Sequence, residues 1–252
     1  LLITHKLKEI MAITDDVSVM RGGEMVAHLE TARTSPAELA ELMVGRKVLL
    51  EVDHTPAKPG VPVLQAQNLC LTKANGIDQL KDISLTLQEG EIVGIAGVSG
   101  NGQSELLDVL SGITAPTGGS FRVGTSKITA QQPSDPAQLR SLGVAHVPED
   151  RHKCGIILPF SAAESMILGY SSGDGQNGGW WLSPSELETN CADRMQDFDI
   201  RPPLPKLASA NFSGGNQQKI VLAREISTQP KLLLVGQPTR GVDIGAIEFI
   251  HK

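Results

Sequence analysis

The stretch Glu91–Leu107, EIVGIAGVSGNGQSELL, decides how the rest of the chain is read. Its first seven residues are almost continuously apolar, the composition of a strand covered on both faces in a parallel sheet. Gly97, Gly100 and Gly102 then space out a loop, and Leu106, Leu107 and Leu110 begin a helical stripe. Strand, glycine loop and helix in that order make a seat for phosphate: glycines let backbone N–H groups approach the oxygens, and a helix N-terminus adds positive potential. A full seat also has a lysine for the outer phosphates and a Ser or Thr for magnesium. Ser104 supplies the second, while Gln103 stands where the lysine belongs. Taken alone, the loop fits an ordinary strand-to-helix turn as well as it fits a nucleotide site.

The 252 residues carry 22 Lys and Arg against 28 Asp and Glu, a formal charge of −6, with no basic run. That balance leaves no electrostatic footprint for DNA or RNA, so no nucleic-acid partner is expected. Apolar runs such as KLLLVG are of strand length, far short of the roughly 20 residues that cross a bilayer. Cys70, Cys154 and Cys191 are scattered and lack metal-ligand spacing, which fits reduced thiols. The opening LLITHKLKEI is too short in its apolar part for a signal peptide and begins as if inside a domain.

Residues 1–48 read as a short strand, a helix, a strand pair around VSVMRGGEMV, and a helix opened by Ser35, Pro36 and Glu38 as a capping box. Residues 49–61 are proline-rich and aperiodic, a linker. Beyond it, VLQAQNLCLT and DISLTLQEG alternate as half-exposed strands. DPAQLRSL and SPSELETNCADRMQDF carry helix-start signals, and between them SSGDGQNGGWW is a surface loop whose Trp180 and Trp181 suit local packing. SGGNQQKIVLAREIS followed by KLLLVG reads as helix then buried strand. Alternating strands and helices define an α/β class.

Four stretches in order resemble the motifs of ATP-binding cassette (ABC) ATPases: GVSGNGQS, AHVPEDR at Ala145–Arg151, FSGGNQQK at Phe212–Lys219 and LLLVGQPTRGVD at Leu232–Asp243. The match is narrower still, because these stretches resemble the second nucleotide-binding domain of ABC importers for simple sugars and nucleosides, a group in which two such domains are fused. The resemblance implies a P-loop NTPase of the ABC type, with a mixed core sheet, an antiparallel β subdomain and a helical subdomain at about 152–228. Residues 1–48 then correspond to the end of the first domain and 62–252 to most of the second. The first domain's own phosphate loop is expected upstream of Leu1, and the second domain's switch histidine downstream of Lys252.

The same resemblance assigns roles residue by residue. Gly97, Val98, Ser99, Gly100, Asn101, Gly102, Gln103 and Ser104 form the phosphate loop, with Ser104 toward Mg2+, and Glu149 takes the Q-loop glutamine position. Gly236 stands where the family's metal-holding aspartate lies, and Gln237 where its water-activating glutamate lies. Ser213, Gly214, Gly215, Asn216 and Gln217 form the signature, which in the family faces ATP held by the other domain. His5 matches a histidine that contacts the γ-phosphate there. Asp243 is read equally as the D-loop aspartate and as an ordinary helix cap. Arg151 and Lys153 are read as a solvated loop pair or as neighbours of the membrane subunit.

Replacing lysine by Gln103 removes a charge worth on the order of 4 kcal/mol at 4 Å and an effective dielectric of 20. Loss of a general base alone costs about 10²- to 10⁴-fold in rate. The expectation is a loop that holds ATP and hydrolyses it slowly, while the signature completes a competent site on the other domain. As a family member the protein is expected on the cytoplasmic face of the inner membrane, with transmembrane permease subunits as partners and an external solute-binding protein acting indirectly. The alternative class is a non-transport ABC protein serving as a regulatory or ribosome-associated module.

Overall fold

A computed structural model describes residues 1–47, 57–170, 183–242 and 247, which excludes Trp180, Trp181, Asp243 and most of the linker. The described residues 1–47, 241, 242 and 247 form one compact unit and 57–240 another.

In the first unit, helix α1 (Leu7–Ile13) precedes a hairpin of β1 (Asp16–Arg21) and β2 (Glu24–Glu30). The strands close tightly because Gly22 and Gly23 both take positive φ, 61° and 88°, as a two-residue hairpin turn requires. Val17 and Val19 bury one face against Leu39 and Ala40 of helix α2 (Pro36–Val44) and Leu7 and Ile10 of α1. Ser35 caps α2, accepting from Glu38 N at 3.2 Å, but the capping box is only half made. The Glu38 carboxylate instead takes the Thr34 hydroxyl at 2.8 Å. The short strand expected before α1 is absent: residues 1–6 have no ladder partner among the described residues, and Ile3 is 89% exposed.

The larger unit is built on a four-stranded antiparallel sheet of order β4-β3-β5-β6, where β3 is Pro62–Thr72, β4 Asp78–Gln88, β5 Gly118–Val123 and β6 Ser126–Thr129. Alternation along these strands turns Leu64, Ala66, Phe121 and Val123 inward. They pack on Leu106, Val109 and Leu110 of α3 (Gln103–Leu110). After α4 (Pro136–Ser141), β7 (Val144–Val147) pairs in parallel with β8 (Leu232–Val235). The helical part holds α5 (Ala162–Met166), α6 (Pro184–Asp197) and α7 (Gly214–Ile226).

Two expectations about the sheet change. Glu91–Gly97 is not a buried strand: it carries no ladder bonds, and Ile92 and Ile95 are 85% and 57% exposed. Val93 and Ile95 face a cavity of about 540 Å³ whose lining includes Leu233 and Val235 of β8, and Glu91–Gly97 makes no strand ladder with β8 among the described residues. For the same reason β8 is buried on alternate residues only. Burial of α7 is the opposite surprise, since its polar residues Gln217, Gln218, Lys219, Arg224 and Glu225 are all inside.

Such burial is costly where a polar group lacks a partner, as Gln218 Nε2 does among the described residues, but the charged pair is well engaged. Arg224 donates from Nη1 to the Gly155 and Ser165 carbonyls at 2.8 and 3.2 Å, and its Nε lies 2.8 Å from Glu225 Oε1. Glu225 Oε2 in turn accepts the Tyr170 hydroxyl at 2.6 Å and the His146 backbone N–H at 3.2 Å. This network joins α7, β7 and α5.

Candidate nucleotide site and signature helix

The glycine loop runs from the end of the extended segment into α3. Gly100 and Gly102 hold φ of 89° and 100°, the left-handed region that a side chain resists. At Gly102 a Cβ would also meet the Gln79 carbonyl oxygen at 2.8 Å, so this position is closed to larger residues on two counts. Gln103 folds back onto the loop, with Nε2 donating to the Val98 carbonyl at 3.1 Å. Its amide lies over Gly97 and leaves no room there for a Cβ. The residue in the lysine position therefore satisfies the loop's own backbone.

Glu149, just after β7, draws the remaining groups together. Its Oε2 accepts the Ser104 hydroxyl at 2.5 Å, and its Oε1 accepts Gln237 Nε2 at 2.5 Å. Arg240 Nη1 lies 3.5 Å from the same Oε1. Gly97, Ser99, Gly100, Gln103, Ser104, Glu149, Gly236 and Gln237 line one cavity, and Asn101 and Gly102 line a neighbouring one beside Asp78–Lys81. Val98 points away, 75% exposed. Gly236 has no space for an acid: a Cβ there would sit 2.8 Å from Leu107 Cδ1 and 2.9 Å from Glu149 N. In this arrangement Gln237 gives a hydrogen bond where a general base would have to accept one, and Glu149 is the carboxylate of the cluster.

Next in sequence, Asp150 caps a π-helical turn, Arg151–Gly155, accepting from the backbone N–H groups of His152 and Lys153 at 3.0 and 3.2 Å. The N–H groups of Lys153 and His152 hold its carboxyl below the ordinary aspartate value. On α3, burial pushes the Asp108 carboxyl above its ordinary value.

The residues expected to form the signature are a separate cluster at the start of α7 and line neither of those cavities. Ser213 is the N-cap, its hydroxyl oxygen accepting from Asn216 N at 3.4 Å and Asn216 Nδ2 at 2.9 Å. Asn216 Oδ1 accepts from Arg201 N at 2.9 Å. Gly214 and Gly215 occupy the first turn, where N–H groups lack intrahelical partners. Gln217 points inward: Nε2 donates to the Ser209 carbonyl at 3.0 Å, while Oε1 lies 3.3 Å from Arg151 Nε and 2.8 Å from His152 Nε2. His5 lies in the other unit, exposed before α1. Arg240 and the Arg151–Gln217 contact were invisible to motif reading, because they depend on which turns meet in space.

A glycine loop opening a helix, a carboxylate facing it from the end of a parallel strand, and a serine-capped glycine helix start together define an ATP-binding cassette. The chain belongs to the ABC transporter family, whose pattern matches residues 80–240. Among its relatives, the nucleoside import ATP-binding protein NupA of Lactococcus lactis subsp. cremoris is 40% identical over 252 residues, covering 100% of this chain and 49% of that protein. The glucose import ATP-binding protein TsgD13 of Haloferax volcanii is 42% identical, with 99% of this chain and 45% of that protein covered. The guanosine import ATP-binding protein NupO of Bacillus subtilis is 40% identical over 95% of this chain and 46% of its own length. The chain thus spans about half the length of the relatives it matches.

Solved folds agree. A nucleotide-free cassette from an ABC transporter superposes with a TM-score of 0.61 at 20% identity, covering 76% of this chain and 75% of that one. A dimeric cassette in a post-hydrolysis state bound to ADP and Pi gives a TM-score of 0.62 at 24% identity, covering 74% and 79%. Among the described residues no helix is long and apolar enough to cross a membrane.

Proposed function

We propose that the chain is part of the energy-coupling ATP-binding subunit of an importer for nucleosides or simple sugars. On this reading its glycine loop holds nucleotide and turns it over slowly, while the start of α7 serves a second ATP held by another nucleotide-binding domain of the same protein. The kinship with nucleoside and glucose import ATP-binding proteins supports the transport role. The observation that carries the division of labour is Glu149 bridging Ser104 and Gln237. Backbone N–H groups and the α3 N-terminus remain to hold phosphates, but Gln237 has no basic atom with which to activate water.

Mg2+ takes oxygen ligands in compact octahedral geometry, and the donor set that fits it is the Ser104 hydroxyl with the Glu149 carboxylate. Gly236 cannot add an acid for want of space. When bound, the ion would neutralise charge on the phosphates. Permease subunits are the expected membrane partners, with the chain peripheral on the cytoplasmic face. Ile157, Leu158 and Phe160, exposed just beyond the π-turn, offer apolar surface to such a partner.

Titration calorimetry with ATP, followed by a phosphate-release assay on the same chain, tests the reading. Binding with release at about 0.1 s⁻¹ or slower is expected from a typical turnover near 10 s⁻¹ reduced by loss of the base. Absence of ATP binding overturns the first half, and rapid release overturns the second.

A further inference from the structure

We propose that Lys73, in the turn between β3 and β4, is the cation that meets the phosphates of a nucleotide held on the glycine loop, in place of the lysine missing at position 103; the inference rests on the function proposed above. The loop needs a charge from elsewhere. Gln103 is neutral and spends its amide on the Val98 carbonyl. Two carboxylates stand at the same spot, Glu149 on the Ser104 hydroxyl and Glu105 in the first turn of α3. An acid there suits the helix dipole, but it repels a phosphate that seeks the same N-terminus. Arg240 is turned to Glu149. Lys73 meets the first turn of α3 directly, with Nζ 3.7 Å from Glu105 Oε1.

The turn and Gln79 together fix where this lysine stands. The Lys73 N–H donates to the Ile77 carbonyl and the Gly76 N–H to the Lys73 carbonyl, both at 2.9 Å, so its main chain is held at the end of β3. Gln79 on β4 then ties the turn to the glycine loop. Its Oε1 accepts from Lys73 Nζ at 3.1 Å, and its carbonyl oxygen lies so close to Gly102 that a Cβ there would be 2.8 Å away. Gln79, Gly100, Asn101 and Gly102 line one cavity. The ammonium therefore sits beside the residues expected to hold phosphate.

That ammonium is only partly engaged. It has three donors; Gln79 takes one, and the contact with Glu105 is longer than a hydrogen bond. The lysine side chain is 53% exposed against 24% for Glu105, so the lysine, on its flexible four-carbon stem, is the partner that can move. A triphosphate carries more charge than one carboxylate and offers more acceptor oxygens. Lys73 thus exchanges a long ion pair for charge-assisted hydrogen bonds when phosphate arrives.

Calorimetric titration of the full chain with ATP and Mg2+ tests this in a double-variant cycle. Lys73→Met should weaken ATP binding about tenfold, as loss of a charged hydrogen bond does, and Lys73→Arg, which keeps the charge, should stay within about threefold of the unmodified chain. Glu105→Gln should tighten binding by about threefold. The deciding comparison is Lys73→Met made in the Glu105→Gln background: a lysine that binds phosphate still costs about tenfold there, whereas one that only neutralises Glu105 costs nothing. Urea midpoints report whether each variant is folded, and if Lys73→Met lowers its midpoint, Lys73→Gln, which can still donate to Gln79, carries the comparison. A loss below about threefold in either background, or an equal loss in Lys73→Arg, overturns the assignment of Lys73 and leaves the nucleotide reading standing. No ATP binding in the unmodified chain or in Glu105→Gln overturns the nucleotide reading and this inference with it.

Discussion

The Ser104 hydroxyl donates to Glu149 Oε2 at 2.5 Å, joining the first turn of α3 to the segment just after β7. A carboxylate accepts such a bond whether or not metal is present, but only its charge favours a divalent cation. Glu149→Gln keeps the size and removes the charge. On the proposed function, Mg2+ raises ATP affinity in the unmodified chain, and the substitution reduces that gain by about tenfold, the order of one charged hydrogen bond. Affinity in EDTA should stay nearly unchanged. Calorimetric titrations with and without Mg2+ measure both, and an undiminished Mg2+ gain in the variant contradicts the assignment.

Placing an acid at position 236, where the motif resemblance implies one in the family, is expected to harm the protein. A Cβ there meets Leu107 Cδ1 at 2.8 Å and Glu149 N at 2.9 Å, and the second contact is backbone that cannot rotate aside. Gly236→Asp should destabilise by about 1–3 kcal/mol, as overpacking does, and should leave Glu149→Gln unrescued for Mg2+. Urea unfolding of the single and double variants is the measurement. A neutral Gly236→Asp would mean the two segments are looser than their contact distance implies.

Much of this site was legible because its parts are local. The glycines before α3, the Ser213 cap and the Asp135 and Ser183 caps with their following prolines each act within a few residues. Pairing was not legible. Glu91–Gly97 has the composition of a buried strand, yet composition does not supply a neighbour to bond with, and none lies against it among the described residues. Nor was the inward turn of Gln217, Arg224 and Glu225, since a polar residue reads as solvated until its partners are known. The joining of Ser104, Glu149 and Gln237 belongs to the same class, because three distant loops must meet before their chemistry exists.

The buried pair on α7 should dominate the stability of the helical part. Arg224 and Glu225 have side chains only 5% and 3% exposed, so removing one leaves the other charged and unpaired. Glu225→Ala should cost about 3–5 kcal/mol. Tyr170→Phe, which deletes the 2.6 Å bond to Glu225 Oε2, should cost about 1.5–3 kcal/mol as a hydrogen bond to a charged group. Because both act on one carboxylate, their effects should be less than additive in the double variant. Denaturant midpoints for the two singles and the double form the cycle that checks it.

His146 sets the response to mild acid. Burial holds its imidazole below the ordinary value of 6.5, with Glu225 opposing and Arg140 and Arg224 adding to the depression. The folded state therefore binds fewer protons than the unfolded state once pH falls below about 6.5. Stability from this residue is complete above that point and declines as pH drops toward the folded value, with a slope of at most about 1.4 kcal/mol per pH unit for one proton. The depressed carboxyls of Asp150 and Glu164 act only at lower pH, near and below their ordinary 3.8 and 4.5. Urea midpoints taken from pH 7.5 down to 5.5 should thus fall in the unmodified chain and flatten in His146→Gln. An equal slope in both proteins would assign the acid sensitivity elsewhere.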